Sequence, residues 1–289
     1  MLTMLLWGSL FPVIKLGFAV YKVSSIADIL LFAGIRFVIC GAVICAIAAL
    51  NEKKEAYKNT GKCIFPILLS GFFAVVLHYS LSYAGLELSA SSKTALIKQV
   101  GALFYVCFSF VFMKEDKSTP RKILAAVIGF LGIVALNTGS DGISFSVGDV
   151  LILASSFCMV ASSVISKRIY DRVSPISATG ISQLFGGAVL LIVGFAAGGT
   201  VRFALDRSVW IMVYICFAST VSYCLWNTVL KSGELSKLFI IKFAEPVFAC
   251  LFGALILNEN IWKLQYLLAF VLIFGGIWIS HVQKHTKKE

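Results

Sequence analysis

The sequence predicts an all-α integral membrane protein of ten transmembrane helices, built as two inverted five-helix repeats around a central cavity. Three observations carry this. Hydrophobic residues make up 59% of the 289-residue chain and charged residues 13%. With a mean hydropathy of +0.94, such a chain has too little polar surface for water and takes the bilayer as its solvent. Its apolar runs are long enough for single spanning helices and lack the alternation of barrel strands. Residues 93–136 and 237–280 also look like two copies of one segment.

Windows of about 20 residues place spans near 2–20, 29–50, 64–84, 90–113, 121–138, 148–166, 177–198, 208–230, 236–257 and 262–281. The connections are short, the longest being 51–62, so no soluble domain is attached and function must lie between the helices. Helix 1 starts almost at Met1, which leaves it short at that end, and without a basic n-region no signal peptide is expected.

The copies align at an offset of 144: KTALIKQVGALFYVCFSFVFMKE pairs with KLFIIKFAEPVFACLFGALILNE. Over 44 positions there are 12 identities, against roughly 4 for unrelated apolar segments. Lys93, Ile97, Lys98, Phe104, Phe108 and Glu115 recur as Lys237, Ile241, Lys242, Phe248, Phe252 and Glu259. The likeness extends upstream: Tyr79 matches Tyr223, and residues 33–43 match 179–189 at an offset of 146. The units are therefore 1–144, and 145–289 with a short tail. An odd number of helices per unit makes the second enter the membrane from the opposite side, an arrangement that gives a carrier two alternating states.

The formal net charge of +11 is topological. Loops 51–63, 114–122, 167–176, 231–237 and the tail hold 16 Lys/Arg, whereas the alternate loops hold 5. That bias places both termini in the cytoplasm of a cell with the chain in its cytoplasmic (inner) membrane, and leaves no basic face for nucleic acid. The eight cysteines show no metal-ligand spacing and read as small packing residues, so neither metal nor cofactor is expected.

WGSLFPVIKLG (7–17), RFVICGAV (36–43), HYSLSYAGLELSAS (78–91) and FAEPVFACLFGALILNE (243–259), in this order, resemble the drug/metabolite transporter superfamily, and its EamA-type members in particular. The resemblance covers essentially the whole chain. It implies a central cavity lined mainly by helices 1, 3, 4, 6, 8 and 9, and movement of small metabolites. Two departures are plain: Glu245-Pro246 has Gly101-Ala102 as its counterpart, and Trp7 has no tryptophan counterpart in the second copy.

Of 25 basic side chains, Lys15, Arg36, Lys98 and Lys242 lie within spans. Each costs about 2.5–3.5 kcal/mol at a helix centre, so each needs a wet cavity, a partner or a reachable interface. Lys98 and Lys242 are the leading candidates for a bound anionic group, with snorkelling to headgroups as the alternative. Arg36 divides between solute contact and structural pairing, and Lys15 lies near enough to its helix end to snorkel. Glu245 is the one acidic residue well inside a span and sits one turn from Lys242. It reads either as a helix-internal ion-pair partner or as a coupling carboxylate. Pro246 leaves the carbonyl of residue 242 without a helical donor, which suits a hinge, and Trp7 joins the gating candidates. Tyr79, Tyr223 and Trp226 form a prospective aromatic cage, with Asn227 and Gln99 as adaptable amides. Gly129, Gly132, Gly275 and Gly276 read as helix-packing positions.

The expected function is alternating-access transport of a small metabolite, a carboxylate-bearing solute such as an amino acid being favoured. A broad-specificity drug exporter and a receptor or scaffold without transport stay open as alternatives. A membrane enzyme is disfavoured, since no HExxH, GxSxG or paired intramembrane carboxylates occur. The expected partners are the solute and the lipid bilayer, with a homo-oligomer left open.

Overall fold

Apolar runs in this chain can satisfy their backbone only by helix formation, and the computed structural model is helical throughout the described residues, which are 1–51, 59–88, 97–116, 119–136, 146–201, 208–257 and 264–281. Lys93, Glu259, most of the 51–62 connection, Arg202, Arg207, Lys263 and the basic tail lie outside them. The elements are α1 (Leu2–Val20), α2 (Ile26–Asn51), α3 (Ile64–Gly71, a π-helical segment Phe72–Leu77, then His78–Leu88), α4 (Val100–Phe112), α5 (Pro120–Leu136) and α6 (Val147–Ile169). They continue with α7 (Pro175–Ala196), α8 (Val209–Ser232), α9 (Leu235–Lys242 followed by Ala244–Leu257) and α10 (Leu264–His281). Among the described residues, seven stretches are long and apolar enough to cross a bilayer, and Val100–Phe112 and Tyr266–Ser280 are shorter apolar helices. The outer surface is what lipid requires: Leu50, Phe65, Phe195, Trp210, Leu255 and Trp278 are each at least 70% exposed.

Local chemistry sets the helix ends. Ser146 and Asp149 form a reciprocal capping box at the start of α6, with Ser146 N–H donating to Asp149 Oδ2 at 2.8 Å. Ser174 caps α7, where Pro175 occupies the first helical position. Three basic side chains that entered the charge count donate to helix C-termini. Lys167 Nζ reaches Leu230 O and Gly233 O at the end of α8 (3.0 and 2.6 Å), Arg168 reaches Phe112 O at the end of α4 (2.7 Å), and Arg121 reaches Ile279 O near the end of α10 (2.8 Å). A cation placed there neutralises orphan carbonyls and the negative end of the dipole together.

The interior is organised by helix pairs that touch backbone to backbone. Along α2 and α7, a Cβ on Gly34 would lie 2.6 Å from Leu191 N, and one on Gly180 would lie 2.9 Å from Cys45 N. Gly41 meets Leu184 N at 2.4 Å, and Gly187 meets Val38 N at 2.6 Å. Exchanging residues at the sequence offset of 146 turns each contact into the other. Gly132 and Gly276 do the same between α5 and α10 at the offset of 144, a Cβ on Gly132 lying 2.9 Å from Ala269 O and one on Gly276 2.6 Å from Ala125 O. Gly129 packs on Phe243, whereas Gly275 faces open space, so the packing expectation fails at that residue: it points away from the neighbouring helix. The broader pattern repeats too, α1 packing on α8 and α9 as α6 packs on α3 and α4.

Candidate solute site

The span expected at 236–257 breaks at Phe243, a turn between the two segments of α9 and next to the hinge expected from Pro246. The described part of the 90–113 span has a turn at Gln99, ahead of α4, the residue paired with Phe243 by the offset of 144. Pro246 explains the second break, because it cannot donate to the carbonyl of Lys242. Ala102 stands at the matching position, so the first break has another cause; Gly101, packed directly against Ser156, allows α4 to approach α6 there. The break leaves Lys242 in the last turn of one segment and Glu245 in the first turn of the next, each where the helix dipole favours its charge.

Both lysines turn inward onto α1. Lys98 Nζ lies 5.7 Å from the Phe11 ring centroid and Lys242 Nζ 5.5 Å from that of Trp7. Phe11 and Trp7 are four residues apart, about 6 Å along the axis, so the two lysines meet one face of α1. Glu245 is within electrostatic reach of both lysines, and Arg36 within reach of Lys98. None of Arg36, Lys98, Lys242 or Glu245 takes part in an ion pair among the described residues, and Glu245 Oε2 is buried without a hydrogen-bond partner. The i, i+3 pairing of Lys242 with Glu245 is thus absent from this conformation. Three cations face one carboxylate in a poorly solvated interior, and a charge left unpaired there costs several kcal/mol.

An aromatic layer closes over this group. Tyr79 on α3 and Tyr223 on α8 share a hydrogen bond between their hydroxyls, 3.0 Å apart. They are the two equivalent residues of the repeat, touching each other. Phe37 packs against both rings at 4.8 and 6.0 Å, and the Arg36 guanidinium lies 4.3 Å from the Phe37 ring and 5.2 Å from that of Tyr79. Arg36 is 3% exposed and its Nε has no partner. Trp7 stands 5.5 Å from Tyr223 and 5.3 Å from Trp226. His78, beside Tyr79, is held by Ser155 O at 2.9 Å from Nδ1. Gln99 is buried in the α4 break.

Beyond the tryptophans a small open cleft, with room for about two or three water molecules, extends toward the end of the molecule where α6 stops and α7 begins. Trp7, Tyr223, Trp226 and Asn227 line it; Lys98, Lys242, Tyr79, Gln99, Arg36, Glu245 and Pro246 do not. Asn227 is committed to the protein, accepting from Tyr170 OH at 2.7 Å and donating to Tyr223 O at 3.0 Å. Helices 3 and 6 were expected at the cavity from the resemblance and α7 was not, and the residues they bring, Ser70, Ser162, Ser163, Ser166, Thr179 and Gln183, escaped the sequence reasoning. The signal was present, since Ser155, Ser162 and Ser166 share one face of a helix at spacings of seven and four. Serine hydroxyls are common in membrane helices, however, and only the crossing of α3 over α6 gathers Ser70, Ser162 and Ser166 within 2.9 Å.

The EamA-like transporter family model matches residues 1–138 and 146–281. The uncharacterized transporter YvbV of Bacillus subtilis is 24% identical over 288 residues, covering 98% of this chain and 90% of that protein. The uncharacterized inner membrane transporter YedA of Escherichia coli K12 is 25% identical over 284 residues, covering 96% and 87%. A crystal structure with 19% identity superposes with a TM-score of 0.78 over 97% of this chain and 94% of that one, a likeness of fold.

Proposed function

The chain belongs to the EamA-like transporter family, and we propose that this multi-pass membrane transporter carries a small carboxylate-bearing solute across the cytoplasmic membrane by alternating access. The observation that carries the substrate class is the convergence of Lys98 and Lys242 on one face of α1, without an ion pair among the described residues, with Arg36 nearby and Glu245 as the one carboxylate in reach among those residues. A carboxylate entering between the lysines supplies the missing counter-charge. The Tyr79–Tyr223 pair and Trp7 hold the apolar part of the solute.

The proposed architecture is ten spans in two inverted five-helix repeats, 1–144 and 145–289, with both termini cytoplasmic. Contacts that exchange at the repeat offset support it, as do the equivalent breaks at Gln99 and Phe243 and the meeting of Tyr79 with Tyr223. Alternation then means rocking of the two units about that shared middle. Glu245, with a buried carboxylate oxygen lacking a partner and two lysines in electrostatic reach, is the coupling group in this scheme.

Uptake by purified protein in liposomes tests the reading against a panel of zwitterionic, anionic and cationic solutes. Lys98→Ala and Lys242→Ala should each lower carboxylate-solute flux by about 10- to 100-fold, the range for losing a charged hydrogen bond. Unchanged flux in both variants refutes the lysine site, and preferential flux of hydrophobic cations would favour a drug exporter instead. Glu245→Gln should abolish the response to an imposed pH gradient.

A further inference from the structure

The cavity beyond Trp7 and Trp226 differs chemically from the lysine group beside it. None of its fifteen lining residues carries a formal charge. Most of its polar groups are occupied. Ser70 Oγ shares hydrogen bonds with Ser162 Oγ and Ser166 Oγ, Ser163 donates to Met159 O, Ser182 to Thr179 O and Thr179 to Pro175 O.

Gln183 is the exception. It is 2% exposed, and both Nε2 and Oε1 are without a partner. A buried amide with donor and acceptor both unused is one of the costlier arrangements in a folded interior, and Gln183 lines the cavity. An amide asks for a group that accepts and donates at once. A carboxylate only accepts and an ammonium only donates, whereas a hydroxyl or a primary amide does both. The surrounding hydroxyls, each with lone pairs to spare, reinforce that preference.

We infer that this cavity is a specificity subsite for a neutral hydrogen-bonding side group of the solute, a hydroxyl or carboxamide, and that Gln183 reads it. The inference rests on the proposed carboxylate reading, with the two subsites sharing Trp7: Lys242 Nζ lies 5.5 Å from its ring centroid, and Trp7 also lines the cavity. The carboxylate is held at the lysines while the side group reaches the serine- and glutamine-lined space.

The test uses the full chain in liposomes and four probes that share a carboxylate, in pairs of similar shape: threonine with valine, and asparagine with leucine. Wild-type protein should take up threonine over valine and asparagine over leucine by about tenfold, the worth of one good neutral hydrogen bond. Gln183→Leu should bring threonine and asparagine down to the level of valine and leucine while leaving the latter two unchanged. Because the amide has no internal bond to lose, Gln183→Leu should also unfold at the wild-type temperature or higher. Equal flux of all four probes, discrimination retained in Gln183→Leu, or a clear drop in its unfolding temperature overturns the subsite. Lys98→Ala lowers all four alike if the carboxylate reading holds, so a discrimination that survives at reduced flux in that variant separates the two subsites. Flux of none of the four by wild-type protein overturns the subsite, and the wider solute panel then decides the carboxylate reading.

Discussion

Adding a single methyl group to the α2–α7 contact tests whether the helix pair is the rigid middle of the molecule. In Gly41→Ala the new Cβ would lie 2.4 Å from Leu184 N and 2.7 Å from Leu184 Cα, both backbone atoms of α7 that no rotamer change can clear. Ordinary contact requires α7 to retreat by roughly 1 Å. Gly187→Ala poses the same problem in reverse, with Val38 N at 2.6 Å. Overpacking of this kind costs about 1–3 kcal/mol, and at about 2–4 °C per kcal/mol each variant should lose several degrees in thermal unfolding. The double variant is the sharper measurement. Because the first substitution already separates the helices, the second meets a widened gap, and the combined loss should fall short of the sum by about 0.5 kcal/mol or more. Gly275→Ala is the control, since nothing lies within 4 Å of its added Cβ and alanine is the better helix former. Unfolding would be followed by tryptophan fluorescence in detergent or lipid nanodiscs. If Gly41→Ala and Gly275→Ala unfold at the same temperature, or if the double variant is fully additive, the close dyad-like contact is not what holds the halves together.

Three further outcomes follow from the same structure. Tyr79→Phe and Tyr223→Phe each remove the one hydroxyl–hydroxyl bond, so each should cost about 0.5–1.5 kcal/mol and the double variant no more than either single, a double-mutant cycle being the check. Asp116, 3% exposed, accepts from Lys122 Nζ (2.9 Å), Ser236 N (2.7 Å) and Ser236 Oγ (2.6 Å), tying the α4–α5 turn to the start of α9. Asp116→Ala should therefore destabilise by about 3 kcal/mol in denaturant unfolding, with Asp116→Asn recovering part of it. Glu234, outside the spans, is held below its usual carboxylate range by hydrogen bonds from Lys122 and then Lys237. A depressed carboxylate stabilises above its unfolded value and loses that contribution as pH falls through the folded value. The unfolding temperature should thus decline on the acid side of about pH 4.5, less steeply in Glu234→Gln and in high salt, since the side chain is 46% exposed and screened.

Residence in a membrane was legible in the chain because solvent leaves its mark on composition: a bilayer forces long apolar helices, and each lysine inside one stands out against its surroundings; the transporter class was legible only through the family resemblance of 7–17, 36–43, 78–91 and 243–259. The duplicated segment was legible for the same kind of reason. Lys98 and Lys242 recur with their neighbours at a fixed offset, and offset is a property of one dimension. Tyr79 and Tyr223 were paired by that offset, although nothing in it says that the two hydroxyls touch. The serine-lined cavity with Gln183 was not legible. Its residues come from α3, α6 and α7, and in each helix they look like the small polar residues any membrane helix tolerates. The break at Gln99 lacked a proline to announce it, unlike the break before Pro246.

Taken alone, the order of residues determined the solvent of this protein, the apolar stretches from which its helices form, the pairing of residues at a fixed offset and the short roster of charges within those stretches, since all of these depend on local transfer free energies and on spacing along the chain. Which of those charges face one another, which aromatic rings separate them, and where an amide is left without a partner were decided only when the helices packed. Those are distances between segments far apart in sequence, fixed by the close approach of glycine-bearing helices, and no local preference encodes them.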